Sequence, residues 1–332
     1  MYLLQNLVQM TCQRDHLRLE ISVLSTFLQL PHTVHVRALE LLKIDDGYLV
    51  RPRTWEEAGN FLTAENEFLS DDNTLKLQEI PQLHTCIQNK KAYVIDSLKD
   101  KQFTIWLPVW MHEQVSVCLE ITQSKPFNQH TLDVLIGIFN VYQNYQSLLD
   151  YSERDALTGL LNRKTFDEHL VRFSTVAQAE KCNHPPWLAV IDIDHFKSVN
   201  DRFGHLFGDE VLILVANLLR SSFGSQHRIF RFGGEEFVVL LPAMSKELAI
   251  TALENFRTMV ANHNFPQIGQ VTVSVGVAGT KLCSPVEILG QADQALYYAK
   301  ENGRNRVCHF EALQFDGLLS AHPISHDDVE LF

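Results

Sequence analysis

Val190-Ile191-Asp192-Ile193-Asp194-His195-Phe196-Lys197 decides how the second half of this chain is read. Leu188 to Ile193 is an apolar run of strand length, and a helix signal follows it. Asp192 therefore stands at a strand terminus, where sites in α/β proteins commonly form. Asp194 is placed to cap the next helix, whose first free N–H groups then make an anion cradle, with Lys197 adding a point charge. Taken alone, the stretch also reads as an ordinary strand and capped helix.

Its partner is Gly233-Gly234-Glu235-Glu236-Phe237, set between two short strands, Arg228 to Phe232 and Phe237 to Leu241. Two glycines at a hairpin tip permit positive φ and leave the backbone bare, so a bulky ligand can approach it closely. A glycine pair alone is as readily structural. Two adjacent carboxylates, however, repel one another unless a cation sits between them, which points to a divalent-metal site. Carboxylates for Mg²⁺ beside an amide cradle for phosphate are what nucleotide chemistry needs.

Outward from these two segments, strand and helix alternate. Val271 to Gly279 reads as a strand, and Pro285 to Asn302 as a helix stopped at Gly303. Toward the N-terminus, Pro126-Phe127-Asn128 opens a helix over 128–153 with Asn128 as its N-cap. Within it Leu132, Leu135, Phe139, Tyr142 and Leu149 fall at 3,4-spaced positions, with Gln146 at the remaining seam site. The stripe either packs on its own domain or forms a parallel dimer stalk.

Residues 1–127 read as α+β. Leu3 to Leu28 is helix-like, and Val34 to Ile44 and Tyr48 to Arg51 are strands about a turn at Asp45-Asp46-Gly47. Phe103 to Val109 and Val115 to Ile121 form a hairpin around His112-Glu113. Trp55, Trp106, Trp110 and His32, His35, His84 and His112 line a ligand pocket or, as the plainer reading, are core aromatics and surface histidines.

The chain has 332 residues, room for two domains, and 45% apolar with 20% charged residues is ordinary globular composition. Net charge is −12, with 12 basic and 18 acidic side chains in residues 1–150 and 16 and 22 in the remainder. Neither half has the basic excess of a nucleic-acid platform. Met1-Tyr2-Leu3-Leu4 lacks a basic signal-peptide start, and Val134 to Leu149 is too short and too polar to span a bilayer. The six cysteines, Cys12, Cys86, Cys118, Cys182, Cys283 and Cys308, include no CxxC pair, so neither a disulfide framework nor a zinc site is expected. A cytoplasmic location, without nucleic acid or membrane partners, is the expectation.

Several separated segments together resemble the GGDEF family of diguanylate cyclases. They are Asp155-Ala156-Leu157-Thr158-Gly159-Leu160-Leu161-Asn162-Arg163, Asp192 to Lys197 with Asn200-Asp201, Gly204-His205 and Gly208-Asp209, the GGEEF loop, and Tyr298-Ala299-Lys300-Glu301-Asn302-Gly303-Arg304-Asn305. Residues 1–127 resemble a GAF-type sensory domain by pattern alone. The resemblances imply an α/β (α+β) chain: a GAF-like antiparallel sheet with helices over 1–127, a linker helix over 128–154, and a GGDEF domain over 155–311 followed by a tail over 312–332. The GGDEF domain would have a central mixed sheet flanked by helices, like nucleotide cyclase catalytic domains.

The same resemblance assigns roles. Asp192, the carbonyl of Ile193, Glu235 and Glu236 would hold two Mg²⁺ ions, with Mn²⁺ as a substitute. Backbone at His195, Phe196 and Lys197 would receive the GTP β- and γ-phosphates, helped by Lys300 and Arg304. Asn200 and Asp209 would read the guanine edge, with His205 nearby. A carboxylate suits guanine because it accepts from N1–H and the 2-amino group together. Glu235 would be the proton acceptor in the reaction the resemblance implies, a condensation of two GTP into cyclic di-GMP. Each domain offers one GTP site, so a homodimer is implied, governed by a first domain with an unknown small ligand. The family's RxxD product-inhibition positions are occupied here by Gly224 and His227, so feedback there should be weak or absent. The rival readings are an inactive GTP-binding module and a cyclase of mixed purine specificity.

Overall fold

In the computed structural model the described residues are 2–44, 47–64, 74–97, 101–111, 114–167, 169–170, 184–224, 227–280 and 284–319. The chain divides into two compact units, Met1–Ser152 and Glu153–Phe332. Asp45, Asp46, His112, Glu113, Cys182, Cys283 and the last residues of the expected tail lie outside the described residues.

The first unit is built on an antiparallel sheet. Its strands are β1 (Thr33–Ile44), β2 (Gly47–Glu57), β3 (Asn60–Thr63), β4 (Leu75–Lys76), β5 (Val94–Ser97), β6 (Phe103–Met111) and β7 (Gln114–Gln123). The order is β3-β2-β1-β7-β6-β5, with β4 also on β2. Alternation puts Val36, Ala38, Ile105, Leu107, Leu119 and Ile121 on one face, in a single core with Leu19, Val23 and Phe27 of helix His16–Leu28. Leu39, Leu41, Trp106 and Cys118 look the other way and pack with Leu77 and Leu83.

Two boundaries differ from the sequence reading, each for a local reason. The first helix breaks after Thr11 because Asp15 caps a new one, its Oδ1 accepting from the N–H groups of Leu17 at 2.8 Å and Arg18 at 3.0 Å. Strand β2 does not stop at Arg51 before Pro52. It continues to Glu57 because Arg53 is skipped in the pairing, Ala38 facing Thr54 and Leu39 facing Pro52. The bulge at Arg53 lets the ladder run on past Pro52, which has no N–H to give it.

The helix Gln129–Glu153 starts as expected, with Asn128 Oδ1 accepting from Thr131 N–H at 2.8 Å. Its 3,4 stripe settles the choice left open above. Leu135, Phe139, Tyr142 and Leu149 are buried in the first unit's own core, Gln146 is buried, and Leu132 packs against that core. The stripe is thus not a free seam for a dimer stalk. A seam must be exposed in the single chain, and these side chains are already covered by the helix's own sheet and neighbours.

The second unit is a three-layer α/β structure. Strands β8 (Leu161–Asn162), β9 (Trp187–Ile193), β10 (Arg228–Gly233), β11 (Glu236–Leu241), β12 (Val273–Gly279) and β13 (Val307–His309) order as β13-β12-β9-β11-β10-β8. The central β9 is antiparallel to both β11 and β12, while β8 with β10 and β12 with β13 are parallel pairs. Every residue of β9 is buried, as a strand covered on both faces should be. Ile191, Ile193, Phe237 and Val275 share a core with Val211, Val215 and Leu219 of helix His205–Ser222 and Leu253 and Phe256 of helix Lys246–Asn262. Val190, Val238 and Ala278 share one with Ile288, Ala292, Ala295 and Ala299 of helix Pro285–Glu301. That last helix begins in a capping box between Ser284 and Glu287.

Candidate active site

Register alone brings the acidic residues together. Asp192, the penultimate residue of β9, pairs with Glu236 at the start of β11 on one side and with Ser274 of β12 on the other. Residues paired across antiparallel strands point to the same face, here the face covered by helix Pro285–Glu301. That helix closes the group, Lys300 Nζ lying 2.8 Å from Asp192 Oδ2. Glu235 sits at the hairpin tip, and its carbonyl accepts from Ile193 N–H at 3.4 Å.

Burial together with this crowding of negative charge raises the carboxyl groups. Asp192 is pushed up to about 6 by desolvation, with Glu236 and Asp194 adding to it and Lys300 opposing. Glu235 is pushed up to about 7 by desolvation and by Asp192, again against Lys300. A third carboxyl, missed in the sequence, belongs to the same field. Asp293 is raised to about 6 by burial and by Glu236, with Lys300 opposing. The available signal was spacing: Asp293 lies two helical turns before Lys300, on the same face.

The tip is held from below. Gly234 has φ +33°, and Arg231 donates from Nη2 and Nε to its carbonyl at 2.8 and 3.2 Å. The Nη1 of the same guanidinium reaches both oxygens of Asp155 at 3.0 and 3.2 Å. Burial opposes ionisation of Asp155, but hydrogen bonds from Thr158 and the Arg231 charge outweigh it, so this carboxyl lies below the usual range. The opening motif is thereby tied to the signature loop, a link that sequence distance conceals.

Helix Phe196–Phe203 begins at His195, whose φ is 57°, and no side chain caps it. Asp194 is not the cap expected from the sequence. Its oxygens are taken by Thr272 and Ser274 beside β9 and by the N–H of Asn305. The first N–H groups of the helix are consequently left open to an anion, and the backbone of Phe196 and Lys197 is where phosphate was expected. Phe196 itself is buried and Lys197 exposed.

Asn200 lies against the bare backbone of Gly208, where a β-carbon would come within 2.0 Å of Asn200 Oδ1. This close approach sets Asn200 beside the turn that carries Asp209. His205 opens the following helix and is exposed. At the other margin Gly303, Arg304 and Asn305 are all left-handed, with φ 102°, 59° and 45°, and Arg304 follows Lys300 by four residues.

Among the described residues no three His, Cys, Asp or Glu side chains already enclose a metal position. The donor set nevertheless fits a hard cation: carboxylate oxygens from Asp192, Glu235 and Glu236, with the Ile193 carbonyl next to Asp192. Carboxyls pushed up by burial and, to a smaller degree, by one another, with a lysine drawn onto one of them, mark a place where positive charge is favourable. Among the described residues of the first unit, the aromatic side chains show no comparable convergence. The Nε1 atoms of Trp106, Trp55 and Trp110 donate separately to Glu120 at 2.8 Å, Glu57 at 3.4 Å and the Lys91 carbonyl at 3.4 Å. His227 hydrogen-bonds locally with the Gly224 carbonyl. Cys12, Cys86, Cys118 and Cys308 are free thiols, and no described helix is long and apolar enough to cross a membrane.

Residues 152–306 match the family model described as diguanylate cyclase, GGDEF domain. Diguanylate cyclase DgcP of Pseudomonas aeruginosa is 45% identical over 157 residues, which cover 46% of this chain and 23% of that protein. Diguanylate cyclase DgcM of Escherichia coli is 40% identical over 160 residues, 47% of this chain and 38% of that protein. The chain therefore spans less than half the length of these curated relatives. A crystal structure of the coiled coil and GGDEF domain of DgcB from Caulobacter crescentus, in complex with c-di-GMP, is 32% identical. It superposes with a TM-score of 0.50 and covers 54% of this chain and 97% of that one.

Proposed function

The chain belongs to the GGDEF family through residues 152–306, and on that premise we propose that it condenses two GTP into cyclic di-GMP with release of two pyrophosphates. The observation that carries this reading is the meeting of Asp192, Glu235, Glu236 and Lys300 beside an uncapped helix start. A cation-seeking acidic group and an anion-seeking amide group are the two halves of a nucleoside triphosphate site.

In the proposed reaction the 3′-hydroxyl oxygen of one GTP bonds to the α-phosphorus of the other, and the bond to pyrophosphate breaks. The hydroxyl proton goes to Glu235, whose carboxyl stands at the hairpin tip beside Glu236 and within the field of Asp192. The step then repeats with the roles exchanged. Asp192, the Ile193 carbonyl, Glu235 and Glu236 would hold Mg²⁺, two ions per site, or Mn²⁺ in its place. Such ions supply phosphate charge neutralisation and a more acidic 3′-hydroxyl. Lys300, freed from Asp192, and Arg304 neutralise the terminal phosphates, while the first turn of helix Phe196–Phe203 donates its N–H groups to them. Asn200 and Asp209 select guanine.

One such site per chain requires two chains to face one another, so the active species is a homodimer. The stripe on helix Gln129–Glu153 is occupied within its own unit and does not supply that contact. We assign residues 1–127 a GAF-like sensory role, supported by the antiparallel sheet with helices packed against both of its faces and by the helix that follows its last strand. The test is incubation of the pure protein with Mg²⁺ and GTP, ATP or both, followed by chromatography of the products. Cyclic di-GMP from GTP alone is expected. Tight GTP binding without product would establish an inactive binding module instead, and a mixed dinucleotide would establish relaxed purine choice.

A further inference from the structure

Asp194 lies two residues beyond Asp192, is buried, and accepts hydrogen bonds from three places in the chain. Thr272 Oγ1 donates to Oδ2 at 2.6 Å, Ser274 Oγ to Oδ1 at 2.6 Å, and the backbone N–H of Asn305 to Oδ2 at 3.0 Å. Its own N–H donates to the Thr272 carbonyl at 2.9 Å. One carboxylate thus joins the end of β9, the approach to β12 and the segment that leaves helix Pro285–Glu301.

That segment needs holding. Glycine enters the left-handed region freely, but a β-carbon makes it unfavourable, and here Arg304 and Asn305 enter it in succession at φ 59° and 45°. Such residues persist only where the surroundings over-determine them. The Ala299 carbonyl accepts from Arg304 N–H at 3.0 Å, and two side chains grip Asn305. Arg257 Nη1 donates to its side-chain oxygen at 2.8 Å, and Asp194 takes its backbone N–H. A hydrogen bond to a carboxylate is roughly twice as strong as a neutral one. The grip falls on the residue next to Arg304, whose guanidinium has no ion pair among the described residues.

We infer that Asp194 is a positioning residue: its carboxylate pins the left-handed Arg304–Asn305 turn and so aims the Arg304 guanidinium at the terminal phosphates of the bound nucleotide. The inference rests on the GTP-site reading above and deepens it. Asp194 touches no substrate; it acts through Arg304. Asparagine keeps the shape and an oxygen for Thr272 and Asn305 but removes the negative charge, so the bond that holds the Asn305 N–H becomes a weaker neutral one.

The test compares the full-length wild type with Asp194→Asn, Arg304→Ala and the double variant. Titrations use a non-hydrolysable GTP analogue with an imido bridge between the β- and γ-phosphates and, separately, GMP, which lacks the terminal phosphates. Asp194→Asn should weaken the triphosphate analogue by about tenfold, as expected for one well-placed charged contact. GMP affinity should hold within about twofold. Arg304→Ala should show the same selectivity, and the double variant should lose no more than Arg304→Ala alone, because the two act as one unit. Amide exchange at Asn305 should quicken in Asp194→Asn. Equal weakening of both nucleotides, additive losses, or unchanged triphosphate affinity would each overturn the inference. Should Asp194→Asn fail to fold, Thr272→Val removes one donor from the same Oδ2, and it must give a smaller loss of the same selectivity or the inference fails. If the wild type binds neither nucleotide, the GTP-site reading falls and takes this inference with it. Normal wild-type binding with an unaffected Asp194→Asn sinks the inference alone.

Discussion

Gly276→Ala tests whether the position of helix Pro285–Glu301 sets the active site. Gly276 lies on β12 beneath that helix, and a β-carbon there would stand 2.1 Å from the Ala292 carbonyl oxygen and 2.2 Å from Leu296 N. Both are backbone atoms, so no side-chain rotation relieves the overlap. Restoring ordinary contact at 3.4 Å requires the helix to withdraw by about 1.3 Å. Lys300 lies one turn beyond Leu296, about 6 Å along the axis, so it moves with the helix. Its 2.8 Å contact with Asp192 would open, and Asp293 would draw away from Glu236. Overpacking of this kind costs about 1–3 kcal/mol, which lowers the melting temperature by roughly 2–4 °C per kcal/mol in a unit of this size. A displacement near 1 Å at a catalytic group costs on the order of 100-fold in rate. Melting by calorimetry and cyclic di-GMP formation at saturating GTP read the two effects separately. Gly137→Ala is the control, since a β-carbon at Gly137, within helix Gln129–Glu153, meets nothing within 4 Å. Better helix propensity should make it neutral or stabilising by up to about 1 kcal/mol. A lower melting temperature for Gly276→Ala with wild-type turnover would refute the link from helix position to chemistry. Wild-type melting would refute the packing itself.

Glu235→Ala and Asp192→Ala should each abolish synthesis while circular dichroism and melting stay near wild type; wild-type turnover at equal Mg²⁺ would remove the site assignment. Gly208→Ala should displace Asn200, given the 2.0 Å approach to its Oδ1, raising KM for GTP and narrowing the preference over ATP, both read by competition assays. The raised carboxyls of Asp192 and Glu235, at about 6 and about 7, favour the folded state in their protonated forms. That contribution is present below the ordinary carboxylate range and is lost as pH rises through 6 to 7. Mg²⁺ prefers the ionised forms, so the Mg²⁺-induced rise in melting temperature should be larger at about pH 8 than at about pH 5.5, and a pH-independent rise would contradict it. Leu135→Asn or Phe139→Asn should destabilise the first unit by about 3–5 kcal/mol, as core truncations with a buried amide do; loss of dimerisation at unchanged melting would instead restore the stalk reading.

The second unit was legible because its pattern is written in contiguous residues. An apolar strand ending in Asp192, a bare hairpin tip carrying Glu235 and Glu236, and Lys300 with Arg304 around a helix-stop glycine are local patterns, set by strand and helix periodicity and by glycine's freedom in φ. Local pattern failed wherever a side chain had two partners to choose from. Asp194 reads as a helix cap because the next helix is its nearest neighbour in sequence, yet Thr272, Ser274 and Asn305 are nearer in space. Pro52 reads as a strand end, and only the pairing with β1 shows that skipping Arg53 carries the strand past it. The apolar stripe of helix Gln129–Glu153 has the same spacing whether it faces its own sheet or a second helix. Amphipathic periodicity specifies that a face is buried and not what buries it, and here the first unit's sheet does so. Asp293 and the Arg231–Asp155 pair escaped notice for the same reason: charges far apart along the chain come within reach of one another only after the sheet has set its register.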